Sequence, residues 1–284
     1  KLFFLATYPD LYANILTGIK RSKLNQQNTY WSRLMIEKPL GKNLSSAIEL
    51  DELLHQTFQE SQIYRLDHYL GKETLQNILA FRFGNIFIQS LMSNQFVDHI
   101  QITAAESFGI GKRAGYYDTM GALLDVGQNH LLQMLVVSTM EAPIEFTNDL
   151  VTKRRIEILE KLIPDPYSLV LGQYNGYLYE DQIDPKSSTD TFFAFKTEIS
   201  NSRWQGVPIF IRAGKKLART VTEISIVFKH PDLQIFNQYE LAAKPNILTY
   251  RIQPNEGIGM EMLFKKPGHK FTVSRDYMQF CYRP

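Results

Sequence analysis

Residues 62–73 read Gln62-Ile63-Tyr64-Arg65-Leu66-Asp67-His68-Tyr69-Leu70-Gly71-Lys72-Glu73, and the pattern of the chain changes within them. The first part, 62–66, is a short strand-like run. Gly71 allows a tight turn, and a helical pattern opens at Lys72. Upstream of this stretch, strands and helices alternate. A strand is expected over 2–6, then a helix capped by Asp10 and running to about residue 23, then a second strand over 33–36. Pro39 and Gly41 forbid simple continuation. Asn43 or Ser45 then caps a helix with Ile48, Leu50, Leu53, Leu54 and Phe58 at helical spacing. This βαβαβ order predicts a parallel α/β sheet, whose ligands lie at the carboxyl ends of the strands. Lys38-Pro39 and Asp67-His68 both fall at such ends.

Downstream, helices over 72–83 and 119–140 sit among period-two segments. Phe193, Phe195, Thr197 and Ile199 alternate with Phe192, Ala194, Lys196 and Glu198, and Ile224, Ile226 and Phe228 alternate with Glu223, Ser225 and Val227. Similar alternation covers 98–105, 247–253 and 258–264. It predicts a large, mostly antiparallel sheet with helices on one face. The expected fold class is therefore α/β followed by α+β, with a first domain at 1–66 and a second at 67–284.

Composition narrows the function classes. The 284 residues are 44% hydrophobic and 21% charged, with a formal net charge of +2. Short basic runs such as Lys153-Arg154-Arg155 and Lys265-Lys266 read as solvated faces, so no nucleic-acid partner is expected. No run approaches the roughly 18 apolar residues of a membrane span, and Leu2-Phe3-Phe4-Leu5-Ala6 is too short for a signal-peptide core. The single cysteine, Cys281, forbids an internal disulfide and fits a reducing, cytoplasmic compartment. No zinc or paired-histidine spacing occurs, and no metal is expected. The chain opens without methionine, inside an apparent strand, and reads as part of a longer polypeptide.

Two clusters carry chemistry. In Asp67-His68-Tyr69-Leu70-Gly71-Lys72 a strand ends and a helix begins, and the backbone N–H groups of a helix start favour an anion. A histidine, a tyrosine hydroxyl and a lysine within a few residues suit a phosphate cradle, although the same residues also suit a polar loop. The second cluster is the helix expected over 119–140. It is apolar nearly all round, yet Asp125, Asn129 and Gln133 form one polar stripe with His130 at its edge. Buried polar groups need partners, so the stripe belongs either to a structural network or to a polar ligand. A histidine suits the role of general base, which makes His130 the candidate, and Asp67 is a candidate for the carboxylate that fixes its tautomer. Weaker candidates close other strands: Glu106 before Phe108-Gly109-Ile110-Gly111, the cations of Arg212-Ala213-Gly214-Lys215-Lys216, and Gln253 before Pro254-Asn255.

Taken together, these segments resemble the glucose-6-phosphate dehydrogenase family. Glu37-Lys38-Pro39-Leu40-Gly41 resembles its Glu-Lys-Pro-Phe-Gly turn. Residues 65–73 match its Arg-Ile-Asp-His-Tyr-Leu-Gly-Lys-Glu signature with one conservative change. Asp125 to Met134 resembles the family's long buried helix, and Val207 to Lys215 and Arg251 to Glu256 extend the match.

The resemblance implies the carboxyl-terminal part of a Rossmann-type dinucleotide domain followed by a substrate domain. It implies oxidation of glucose 6-phosphate at C1 by NADP, or NAD, as the first step of the pentose phosphate pathway, in a homodimer or a dimer of dimers. It makes His130 the base and Asp67 its carboxylate partner, with His68, Tyr69 and Lys72 on the phosphate. Lys38 and Pro39 would face the cofactor, Lys38 also touching the sugar, in a turn with a cis Lys-Pro bond. Glu106 and Asp125 would accept sugar hydroxyls, while Lys215 and Gln253 close the far side. The family's usual basic residue five positions after Lys215 is here Thr220, and Arg219 one step earlier is its stand-in. The family's Gly-rich nucleotide fingerprint is not among these residues, so this chain alone is expected to bind the cofactor poorly. A non-catalytic sugar-phosphate-binding or assembly module on the same fold is the alternative.

Overall fold

The computed structural model describes residues 1–27, 31–41, 43–111, 114–231 and 244–281. They form two compact units, Lys1–His68 and Tyr69–Pro284.

In the first unit, β1 (Leu2–Leu5), β2 (Arg33–Ile36) and β3 (Ile63–Arg65) make a parallel sheet in that order. Leu5, Leu34, Ile36 and Ile63 are buried with Tyr12, Leu16 and Ile19 of α1 (Tyr12–Arg21) and Leu54 of α2 (Leu44–Thr57). Asn43 caps α2: its side chain accepts from the Ser46 N–H at 2.9 Å, and Ser46 Oγ accepts the Asn43 N–H at 3.1 Å. This reciprocal pair satisfies two donors that a helix start leaves orphaned.

Two expectations are corrected here. Asp10 does not cap α1; it lies within a 3-10 turn, Pro9–Leu11, that starts at proline and leads into the helix. Proline suits a first helical position because its φ is already set and its missing N–H would have no partner. Ile48 is 50% exposed, so the apolar stripe of α2 is narrower than expected and runs through Leu50, Leu53 and Leu54.

The second unit is built on an eight-stranded sheet. Its strands are β4 (Val97–Ala105), β5 (Leu162–Gly172), β6 (Phe192–Ile199), β7 (Ile209–Gly214), β8 (Val221–Phe228), β9 (Ile247–Gln253), β10 (Gly257–Lys265) and β11 (Val273–Cys281). Their order is β11-β10-β9-β8-β4-β7-β6-β5, antiparallel throughout except for the interior β4–β7 pair, which is parallel. The period-two pattern buries Ile100 and Ile102, Ile209 and Ile211, Ile224 and Ile226, and Leu248, Tyr250 and Ile252. They share one core with Leu75 and Ile78 of α3 (Glu73–Gly84) and with Leu131, Met134 and Leu135 farther along. Helices α4 (Ile86–Leu91), α5 (Ala114–Tyr117), α6 (Leu132–Thr139) and α7 (Asn148–Leu159) complete the unit. Among the described residues, no helix is long and apolar enough to cross a membrane.

The single α-helix expected over 119–140 is not what forms. After α5 the chain turns at Gly121, whose φ is +72°, and then runs as a π-helix over Leu123–Leu131 before settling into α6. Asp190 holds the start of this segment, accepting the Ala122 N–H on its carbonyl at 2.9 Å and the Leu123 N–H on its carboxylate at 2.8 Å. At the other end, Arg82 donates to the Val137 and Met140 carbonyls at 2.8 and 2.9 Å, and Trp204 Nε1 donates to the Thr139 carbonyl at 2.8 Å. These bonds satisfy the carbonyls that the last helical turn leaves without partners.

Candidate active site

In the first unit, parallel pairing brings two candidate segments to one end of the sheet. Ile36 of β2 is in register with Arg65 of β3, so Lys38 and Asp67 each follow a register partner by two residues. The Leu66 N–H continues the ladder to the Ile36 carbonyl at 2.9 Å, and Tyr12 Oη donates to the Glu37 carbonyl at 3.2 Å. The Lys38-Pro39 bond is cis, with Lys38 half-buried and Pro39 buried. Asp67 is half-buried and His68 exposed. Arg65 is held at the strand end by Asp51 at 2.6 Å and Glu60 at 2.7 Å.

In the second unit, Tyr69, Lys72 and His130 come together. The Lys72 N–H closes a turn onto the Tyr69 carbonyl at 3.0 Å, and Lys72 is the residue from which α3 starts. Its ammonium lies 4.2 Å from the centroid of the Tyr69 ring. Burial pushes the Lys72 pKa below the ordinary lysine value, and the nearby carboxylate of Glu256 works against that shift. The Tyr69 ring is stacked on the His130 imidazole, with centroids 4.2 Å apart and planes 15° from parallel.

His130 comes from the π-helix, whose i→i+5 bonding alters the side-chain register of the segment. The Leu132 N–H reaches back to the Gly127 carbonyl, and Asn129 Nδ2 bonds the Leu124 carbonyl at 2.9 Å. The expected stripe at four-residue spacing is therefore split. Asp125 and His130, five apart, are both buried, whereas Asn129 folds onto its own backbone and Gln133 accepts from Arg155. A glycine makes the close approach of this helix to the sheet feasible. A Cβ on Gly127 would lie 2.7 Å from Cζ of Phe193 on β6.

A second cluster forms where β4 and β7 end side by side. Ala105 is in register with Gly214, the Glu106 N–H bonds the Gly214 carbonyl at 2.9 Å, and Lys215 Nζ donates to the Glu106 carboxylate. Lys215 also lies 5.4 Å from the Tyr117 ring centroid and 5.7 Å from that of Phe108. Burial raises the Tyr117 phenol far above its ordinary range, so it stays protonated.

The other candidates stand apart from these contacts. Gln253 is exposed at the end of β9, before a cis Gln253-Pro254 bond. Arg219 is exposed, with its guanidinium 3.6 Å from Glu223. Thr220 Oγ1 accepts the Ser107 N–H at 2.9 Å. Four neighbours were not site candidates in the sequence reading: Phe108, Tyr117, Asp190 and Glu256. Their sequence signal was weak, since each meets its partner only through the tertiary fold.

Comparison with known proteins places the fold and the family of the chain. Residues 1–77 match the family described as "Glucose-6-phosphate dehydrogenase, NAD binding domain", and residues 79–284 match "Glucose-6-phosphate dehydrogenase, C-terminal domain". The glucose-6-phosphate 1-dehydrogenase of Chlamydia trachomatis serovar D is 40% identical over 300 residues, covering 99% of this chain and 68% of that protein. The Aggregatibacter actinomycetemcomitans enzyme of the same name is 43% identical over 296 residues, covering 99% of this chain and 59% of its own. A solved glucose-6-phosphate dehydrogenase in complex with its substrate glucose-6-phosphate superposes with a TM-score of 0.91 at 36% identity, over 99% of this chain and 59% of that one. The chain thus spans roughly three fifths to two thirds of the length of these relatives. By both of its segments and by its fold, the chain belongs to the glucose-6-phosphate dehydrogenase family.

Proposed function

We propose that the protein carrying this chain oxidises glucose 6-phosphate at C1 to the 6-phospho-lactone, with NADP as the preferred cofactor and NAD as the alternative. The observation that carries this reading is the contact set Lys72–Tyr69–His130, in which a phosphate-type cation and a buried imidazole meet on one aromatic ring. Family membership and the substrate named for the solved relative support it.

On this reading His130 accepts the proton of the C1 hydroxyl on an imidazole nitrogen as the C1–O bond becomes a carbonyl. Asp67 serves as the carboxylate that keeps the imidazole in the accepting tautomer. Lys72, His68 and the Tyr69 hydroxyl hold the phosphate, the Lys72 ammonium and the start of α3 supplying positive charge. Arg219 adds a cation from the loop after β7. Asp125 and Glu106 accept sugar hydroxyls, and Lys215 and Gln253 close the far side.

The residues at the carboxyl ends of β2 and β3 fit a dinucleotide, because ligands of open parallel sheets lie there. Lys38 and Pro39 would hold its nicotinamide end, and Lys38 would also reach the sugar. When bound, the dinucleotide supplies the acceptor for the C1 hydride. A cytoplasmic homodimer or dimer of dimers completes the reading.

The test is direct. The full-length protein, mixed with glucose 6-phosphate and NADP or NAD, should produce reduced nicotinamide at a rate that depends on the sugar phosphate. Absence of turnover with either cofactor, in a protein that is folded and binds glucose 6-phosphate, would favour the non-catalytic binding module instead.

A further inference from the structure

We propose that the aromatic face of Tyr69, as distinct from its hydroxyl, is a positioning element for the base: it fixes the plane of the His130 imidazole. The proposal rests on the reading of His130 as the base that takes the C1 proton.

The argument starts from the lone pair. An imidazole accepts a proton only along a direction in the plane of its ring, so a base that swings about Cβ–Cγ carries its acceptor away from the hydroxyl. That torsion is soft, with broad, roughly two-fold preferences. A hydrogen bond to one ring nitrogen restrains the tautomer and one direction, but it still permits rocking about the bond axis. A flat partner held face to face restrains the plane itself.

Tyr69 has that geometry. Its ring lies 15° from parallel with the imidazole at a centroid distance of 4.2 Å, and both side chains are buried, at 8% and 3% exposure. The stack joins two elements that must keep their spacing. Tyr69 precedes α3, and His130 belongs to the π-helix. The same ring lies 4.2 Å from the Lys72 ammonium. In glucose 6-phosphate the reacting hydroxyl is on C1 and the phosphate on C6, two separate points of the sugar that the site must hold at once. One rigid ring in contact with both the base and the phosphate-type cation sets the distance between the two sites. The negative π-face also favours the imidazolium formed as the proton arrives.

Two variants of the full-length enzyme separate ring from hydroxyl. Tyr69→Phe keeps the flat face and loses the hydroxyl, so KM for glucose 6-phosphate should rise while kcat stays within about twofold. Tyr69→Leu keeps apolar bulk and loses the face. Its kcat should fall a further ten- to a hundred-fold or so, the range that misplacement of a catalytic group produces. The same fall should appear with free glucose as substrate, because the ring acts through the base and needs no phosphate.

Equal kcat for the Phe and Leu variants would overturn the proposal, as would a kcat loss in Tyr69→Phe as large as in Tyr69→Leu. Should Tyr69→Leu not fold, Tyr69→His against Tyr69→Met puts the same question, with the flat ring expected to retain kcat and an equal kcat in both overturning the idea. His130→Asn in the same series keeps the two readings apart. Near-normal kcat in that variant would remove His130 as the base, whereas a collapse there alongside equal Phe and Leu variants would remove only the role of the ring.

Discussion

Gly127 and Phe193 are a matched pair: the ring on β6 occupies the space that a side chain at 127 would need, 2.7 Å from a would-be Cβ. An alanine in a helix interior ordinarily stabilises it by about 1 kcal/mol relative to glycine. Here the order should reverse. Phe193 is fully buried and the π-helix is backed by the sheet, so Gly127→Ala should destabilise the protein by about 1–3 kcal/mol, the usual cost of overpacking. Thermal unfolding of the variant gives the sign. A double variant with Phe193→Leu should recover part of the loss, since neighbouring sites couple non-additively.

Lys72→Ala should raise KM for glucose 6-phosphate roughly ten- to a hundred-fold, the equivalent of a charge-assisted contact worth about 1.5–3 kcal/mol. Activity on free glucose should change little. Steady-state kinetics on the two sugars decides the matter, and parallel losses on both would make Lys72 a structural residue.

The same lysine should give the enzyme an alkaline limb. Burial lowers its pKa, so in the free enzyme the cation is lost as pH rises through a value below the ordinary lysine range. The quantity that reports free-enzyme groups is kcat/KM, and it should therefore decline on the alkaline side earlier than a solvated lysine would allow. Lys72→Arg should flatten that decline, because a guanidinium stays charged throughout.

His130→Asn retains a polar group on the π-helix but removes the proton acceptor. Its kcat should fall by about 10²–10⁴-fold, the typical contribution of general-base catalysis. Binding of glucose 6-phosphate, measured separately by calorimetry, should largely survive because the proposed phosphate contacts lie on other residues. Asp67→Asn should lower kcat as well, since an amide cannot stabilise an imidazolium as a carboxylate does.

Arg82 is expected to matter for stability rather than for turnover. It is 3% exposed, burial pulls its pKa down to about 10, and its guanidinium forks onto two carbonyls at the end of α6. Arg82→Met should lower the melting temperature, each carbonyl left without a partner costing about 1–3 kcal/mol. Arg82→Lys should rescue only part, because a single ammonium cannot reproduce the fork.

The sequence was most informative where local rules act alone. The cap of α2, expected at Asn43 or Ser45 and made by Asn43, the run of β2 and the strands β6 and β8 are properties of a few neighbouring residues, and all stand in the structure, although Val227 is buried on the face expected to be polar. The π-helix was not legible, because apolar spacing alone does not distinguish a four-residue from a five-residue hydrogen-bond register. That choice accompanies a cap from Asp190 and packing against Phe193, both remote in sequence. The place of Lys72 at a strand-to-helix junction was legible from the turn at Gly71 and the helical pattern after it. The stack of Tyr69 on His130 was not, since nothing local to either residue announces a flat partner.

The parallel β4–β7 pair carries a consequence for the order of folding. Everything from residue 106 to 208, including the π-helix, α7, β5 and β6, belongs to the loop that must close before β4 and β7 can meet. Closure of so long a loop has an entropic cost that grows with its length and precedes any reward from the contacts it makes. The Glu106–Lys215 ion pair spans that closure, 109 residues apart in sequence. Glu106 and Lys215 each follow the last register-paired residue of their strand, so the ion pair is expected to form with the β4–β7 pairing, and the far side of the proposed sugar site with it. Its formation would serve as a reporter that β4 and β7 have paired across that loop.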